Sequence, residues 1–78
     1  MGSRENTHGD PLPFATHLGQ VWGAYLQLDE AIPPDKVFRM LGIFKNVRSE
    51  HGCLNKDDAI DAVGYNALAG EVALAIGD

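Results

Sequence analysis

The stretch Lys56-Asp57-Asp58-Ala59-Ile60-Asp61-Ala62-Val63-Gly64-Tyr65-Asn66-Ala67-Leu68-Ala69-Gly70 decides how this 78-residue chain is read. It sets three aspartates within five residues and then carries no further charge as far as Gly70. At ~100° per residue, a helix over about 57–76 is apolar on most of its sides. Ile60, Val63, Ala67 and Leu74 share one face, and Asp58, Asp61, Tyr65, Leu68 and Val72 share another. Ala59, Ala62, Asn66, Ala69, Gly70 and Ala73 form a third strip of small residues. A helix of this kind belongs at a centre. Two further helices from one short chain do not surround it, so the pattern predicts a homodimer in which the small strip admits a partner helix. A monomer with an Ala-rich solvent face is the alternative.

Working outward from that helix, two more are legible. Over about 13–28, Phe14, Leu18, Val21, Trp22, Tyr25 and Leu28 form one stripe, with Thr16, Gln20, Gly23 and Gln27 opposite. Over about 34–50, Val37, Met40, Leu41, Phe44 and Val47 form the stripe expected to be buried. Pro34 suits the first helical position, and Asp35 suits the positive end of the helix dipole. Gly52 follows as a helix-terminating residue. The expected fold is all-α: a three-helix domain over 12–78, completed as a helical bundle by homodimerisation. It follows a polar segment, 1–11, whose His8-Gly9-Asp10-Pro11 carries a turn signal.

Composition narrows the function classes. The chain is 45% hydrophobic and 22% charged, as soluble globular domains are. It has no apolar run near the about 20 residues that span a bilayer. The N-terminal MGSRENTHGD has no apolar core of a signal peptide, so a cytosolic setting is expected. One cysteine, Cys53, permits no internal disulfide and no Cys-rich metal site. Six basic residues against eleven acidic ones give a net charge of −5. That balance argues against binding nucleic acid through its phosphates, which relies on clustered Lys and Arg. His8, His17 and His51 lie too far apart in sequence for a helical zinc pair.

The carboxylates are the chemical candidates. Asp57 is expected to cap the third helix or complement its dipole, and Asp58 is open to either that role or a ligand role. Asp58 and Asp61, three residues apart, share a helix face and can together hold a hard cation such as Mg²⁺ or Mn²⁺. Asp61 lies in line with Tyr65, Leu68 and Val72, so its carboxylate is expected to need a cation. That cation is either a metal or a basic residue of the second helix. Four of the six basic residues lie there, Lys36, Arg39, Lys45 and Arg48. Arg48 projects into the apolar arc and Lys45 onto its edge. His8 beside Asp10 reads as a turn or as an accessory catalytic pair. No phosphate-binding glycine loop or nucleophile motif is present in the sequence.

Taken in order, the motifs resemble a known family. They are His8-Gly9-Asp10-Pro11, Val21-Trp22-Gly23-Ala24-Tyr25-Leu26, Ile32-Pro33-Pro34-Asp35-Lys36-Val37, Lys45-Asn46-Val47-Arg48, and Lys56-Asp57-Asp58 with Asp61-Ala62-Val63-Gly64-Tyr65-Asn66-Ala67-Leu68. Across roughly residues 8–73 they resemble small proteins of unknown function common in tailed bacteriophages. That family in turn looks like a compact relative of the MazG-like all-α nucleotide pyrophosphohydrolases and of phage nucleotide-modification-associated domains. The MazG-like enzymes hold Mg²⁺ through a Glu-x-x-Glu motif on one helix and a Glu-x-x-Asp motif on a later one. The resemblance implies that Asp58-Ala59-Ile60-Asp61 stands for the second motif, with Asp58 and Asp61 on Mg²⁺ or Mn²⁺. Lys45, Arg48 and Tyr65 would then lie on a bound nucleotide. No helix before it carries two acids three apart, so the first motif is missing and hydrolysis is in question. The expected setting is the cytoplasm of an infected bacterial host. The alternative is a non-enzymatic phage accessory protein that inhibits a host defence or metabolic protein by protein–protein contacts.

Overall fold

The computed structural model describes residues 10–52 and 56–76. Three helices follow in order: α1 (Pro11–Tyr25), α2 (Pro34–Glu50) and α3 (Lys56–Ile76). There is no strand among the described residues. None of their helices is long and apolar enough to cross a membrane.

Helix α1 starts earlier and stops sooner than its apolar stripe predicts. Asp10 is its N-cap, and the carboxylate accepts a hydrogen bond from the Leu12 amide at 3.0 Å. The Asp-Pro pair that reads as a turn is thus the first step of the helix. At the other end Gln27 adopts φ 59°, the left-handed region. The Leu28 amide donates to the Gly23 carbonyl at 2.9 Å and the Gln27 amide to Ala24 at 3.1 Å. This is a Schellman termination with Gln in the place glycine usually holds. It turns the chain away before Leu28, which lies outside the helix.

The buried side of α1 also differs from the expected one. Ala15, Gly19 and Gly23, at i, i+4 and i+8, are buried, whereas Phe14, Val21 and Tyr25 face outward and Tyr25 is 84% exposed. The physical reason is backbone proximity. The connector over 30–32 runs back along α1, and the Ile32 amide donates to the Gly19 carbonyl at 3.1 Å. A Cβ on Gly19 would collide with the Ile32 carbonyl oxygen, and one on Gly23 would lie 3.0 Å from the Glu30 carbonyl oxygen. Large side chains on this face would hold the connector off.

Helix α2 begins as its sequence predicts, with Pro34 in the first turn and Asp35 at the positive dipole end. It makes its main contact with α3 and a smaller one with α1. Of its expected buried stripe Val37 is buried and Leu41 partly so, whereas Met40, Phe44 and Val47 face outward, because the contact with α3 turns Phe38 and Gly42 inward instead. The core consists of Ala15, Val37, Phe38 and Ala69, with Leu18, Trp22, Ile32, Leu41, Tyr65, Leu68 and Val72 packed around it.

The inward face of α3 runs between two of the strips read from sequence. Asp58, Ala62, Tyr65, Ala69 and Val72 follow a 4-3-4-3 spacing, the period of a packed helix seam. Ala62 and Ala69 are buried within the chain. The small strip therefore admits this chain's own α2, whose Gly42 would place a Cβ 3.0 Å from the Asn66 side-chain oxygen. The face made by Ile60, Val63 and Leu74 is the solvent side of α3.

Two substitutions test the α1 contacts. Gly19→Ala is expected to destabilise by about 2–3 kcal/mol, because backbone must move to fit one methyl group. Gln27→Gly should stabilise by about 0.5–1 kcal/mol, since relief of the left-handed strain exceeds the added chain entropy. Urea denaturation measures both. Equal stability of Gly19→Ala and wild type would remove the close packing of the connector on α1.

Candidate functional site

The 4-3-4-3 seam of α3 starts on a charged residue. Asp58 lies in the first turn of α3, is 3% exposed, and faces the last turns of α2. Burying a carboxylate without compensation is costly, so the neighbouring residues on α2 are constrained to be donors. Lys45 and Arg48, three apart, project from one edge of α2 toward it. Arg48 Nε lies 3.2 Å from Asp58 Oδ2 and Lys45 Nζ lies 3.4 Å from Asp58 Oδ1. Lys45 Nζ also reaches Asp61 Oδ2, at 3.1 Å. One ammonium thus bridges two carboxylates a helical turn apart, and one carboxylate bridges two cations.

The electrostatic consequence falls on Lys45. The hydrogen bond it donates to Asp61 raises its pKa above the ordinary 10.5; burial opposes this by lowering it, and Asp58 adds to the raise. Its side chain is 18% exposed.

The aspartates exchange the roles expected of them. Asp61, read as the carboxylate on a buried stripe, has a side chain 48% exposed. Asp58 is the buried one. The α3 seam passes through position 58 and leaves 61 at its rim, next to the partly buried Tyr65 and Leu68. Likewise Lys45 is the basic residue turned toward α3, while Arg48 is 54% exposed and reaches Asp58 from the rim. Asp57 lies in the first turn and is exposed, where its charge complements the dipole. Helix α3 begins at Lys56, so the cap position before it falls outside the described residues.

Beside Asp61 the surface dips into a shallow depression of about 310 Å³, lined by Ile60, Asp61, Gly64, Tyr65 and Leu68. Tyr65 and Asp61 are brought together there. Ile60 and Gly64 complete the lining and were not singled out by spacing or charge. Their signal is the i, i+4 repeat of 60, 64 and 68 beside 61 and 65. Asp10 is not part of this cluster. It caps α1 and lines a different groove, with Leu12, Leu68, Glu71 and Val72. Its proposed companion His8 lies outside the described residues, as does Cys53.

Asp58 and Asp61 both come within 3.5 Å of one point, the Lys45 ammonium nitrogen. Two carboxylates around a shared position fit a hard cation that keeps several waters. Among the described residues no three of the His, Cys, Asp and Glu side chains form a metal-binding group. A cation entering here would hold two protein ligands and would displace Lys45.

The model of a domain of unknown function (DUF6378) matches residues 1–73, most of the chain, and the chain belongs to that family. Neither the curated proteins nor the solved structures contain a match.

The raised Lys45 pKa gives a signed pH dependence. A group whose pKa rises on folding stabilises fully below its unfolded value and loses that contribution as pH climbs through the folded value. The stability advantage of wild type over Lys45→Met is therefore expected to be intact near pH 9 and to shrink above 10.5. Denaturant midpoints for both proteins measure it. A difference that stays constant to about pH 12 would mean that the ammonium is not engaged by the carboxylates.

Proposed function

We propose that the protein is a homodimeric nucleotide-binding protein that takes its ligand through a divalent cation, Mg²⁺ or Mn²⁺, on Asp58 and Asp61. The observation that carries the reading is the convergence of Asp58, Asp61, Lys45 and Arg48 beside the Tyr65 depression. Carboxylates and basic side chains in one place meet the two needs of a nucleotide: ligands for its metal, and donors for its phosphates. The aromatic face of Tyr65 and the apolar lining of Ile60 and Leu68 suit a base.

In this reading the Lys45 ammonium occupies the cation position while the site is empty. With an ion held by Asp58 and Asp61, Lys45 and Arg48 would be donors for phosphate oxygens. The ion would supply charge neutralisation between the aspartates and the phosphates. Binding is favoured over hydrolysis, because α2 presents basic residues where the resemblance to MazG-like enzymes implies an acidic motif. The setting that accompanies this reading is the cytoplasm of an infected bacterium.

A second reading has its own observation. The outer faces of α1 and α2 leave Phe14, Val21, Tyr25, Ile43 and Phe44 half exposed or more. Apolar surface of this extent marks protein–protein contact, as expected of a phage accessory protein that inhibits a host defence or metabolic protein.

Isothermal titration calorimetry separates the two. Nucleoside triphosphates are expected to bind in Mg²⁺ or Mn²⁺ and to bind at least tenfold more weakly in excess chelator. Asp61→Asn, which keeps the shape of a half-exposed side chain, should weaken the metal-dependent binding by about tenfold or more. Absence of any metal-dependent heat with purine and pyrimidine triphosphates would leave the protein-contact reading.

A further inference from the structure

The dimer reading above does not say which face pairs, and the outer side of α2 answers that. Met40, Ile43, Phe44 and Val47 follow i, i+3, i+4 and i+7, the spacing of a packed helix seam, yet lie on the side of α2 away from α3. Ile43 is 56% and Phe44 54% exposed. Toward α1 the stripe continues into an apolar recess of about 380 Å³ lined by Trp22, Met40, Leu41 and Phe44.

We infer that this surface is where a second copy of the chain docks, with α2 packed antiparallel on the partner's α2 about a two-fold axis at Ile43. Three features favour a second copy over an unrelated partner. The first is area. Met40, Ile43, Phe44 and Val47, each 40% exposed or more, leave on the order of 400 Å² of mainly apolar surface, about half of the roughly 800 Å² per partner of a stable interface before its polar rim is added. The second is self-complementarity: a two-fold contact requires the same patch on both copies, and in antiparallel packing the stripe sets Met40 near Val47 of the other copy and Ile43 and Phe44 near their own counterparts. The third is charge. Lys36 and Glu50 are both exposed, each lies seven residues from Ile43, and both fall on the same edge of the stripe. Antiparallel packing about Ile43 brings Lys36 of each copy opposite Glu50 of the other. Same-edge pairs of this kind set orientation in helix seams. Lys45 points to α3, so the pairing leaves the aspartate site open.

The inference rests on the dimer reading, and light scattering on the eluting full chain separates the two. Wild type is expected to run as a dimer, and Ile43→Glu as a monomer that keeps its helical circular dichroism. Lys36→Glu is expected to weaken the dimer by tenfold or more, and Lys36→Glu combined with Glu50→Lys to restore it. A dimer that survives Ile43→Glu, or a double variant no better than Lys36→Glu, overturns this interface while leaving the dimer reading in place. A wild type that is monomeric at about 100 μM, whether or not it then binds another protein, overturns both.

Discussion

A carboxylate that is 3% exposed in a 78-residue helical protein needs opposite charge within reach, and Asp58 obtains it from Lys45 and Arg48. This requirement fixes more than one contact. It sets the register of α3 against the last turns of α2, where Lys45 and Arg48, three residues apart, both reach Asp58. It also places the outward Asp61 beside the Lys45 ammonium, so the cluster of two acids and two bases follows from burying one of them. The small residues along the same seam, Ala62 and Ala69 on α3 and Gly42 on α2, keep the helices close enough for the arrangement to hold.

Much of the fold was legible in the sequence, and the exceptions have specific causes. The helix periods, Pro34 and Asp35 located α2 to the residue, and the apolar length of α3 gave its extent. The large apolar residues of α1 misled, since helices usually bury their bulk. Here the connector after α1 lies directly on Gly19 and Gly23, and backbone packing against backbone selects the face with the least side chain. The end of α1 was hidden because Gln27 holds a conformation that usually marks itself with glycine. In the site, the four charged residues could be named from their spacing. Which aspartate is buried could not, because Asp58 reads as a first-turn dipole residue until the 4-3-4-3 seam is traced through it. The depression over Tyr65 depends on how α3 is rotated, which charge and hydropathy alone leave undetermined.

The same accounting explains the surplus of outward apolar surface. Phe38 and Val37 are the large side chains fully buried among the described residues; the rest of the inner cluster is alanine or partly buried. A core this thin is near the lower limit for an independent domain. Helices α2 and α3 each carry an apolar stripe on the side away from their mutual seam. The sequence pattern of α3, apolar on most sides, therefore has two sources: an inner seam of small residues and an outer face of larger ones. A chain built this way gains stability from whatever covers its outer faces, which links its folding to its association.

The ion cluster ties the fold to the proposed ligand chemistry, since the aspartates that would hold a cation are those that Lys45 holds in its absence. The most direct measurement is a double-mutant cycle on folding stability with Lys45→Met and Asp58→Asn, at neutral pH and low salt. A measurable coupling is predicted, smaller than that of a fully buried pair because Lys45 is partly exposed and Arg48 shares the carboxylate. Additive effects, with no coupling between the two positions, would contradict the account at its centre.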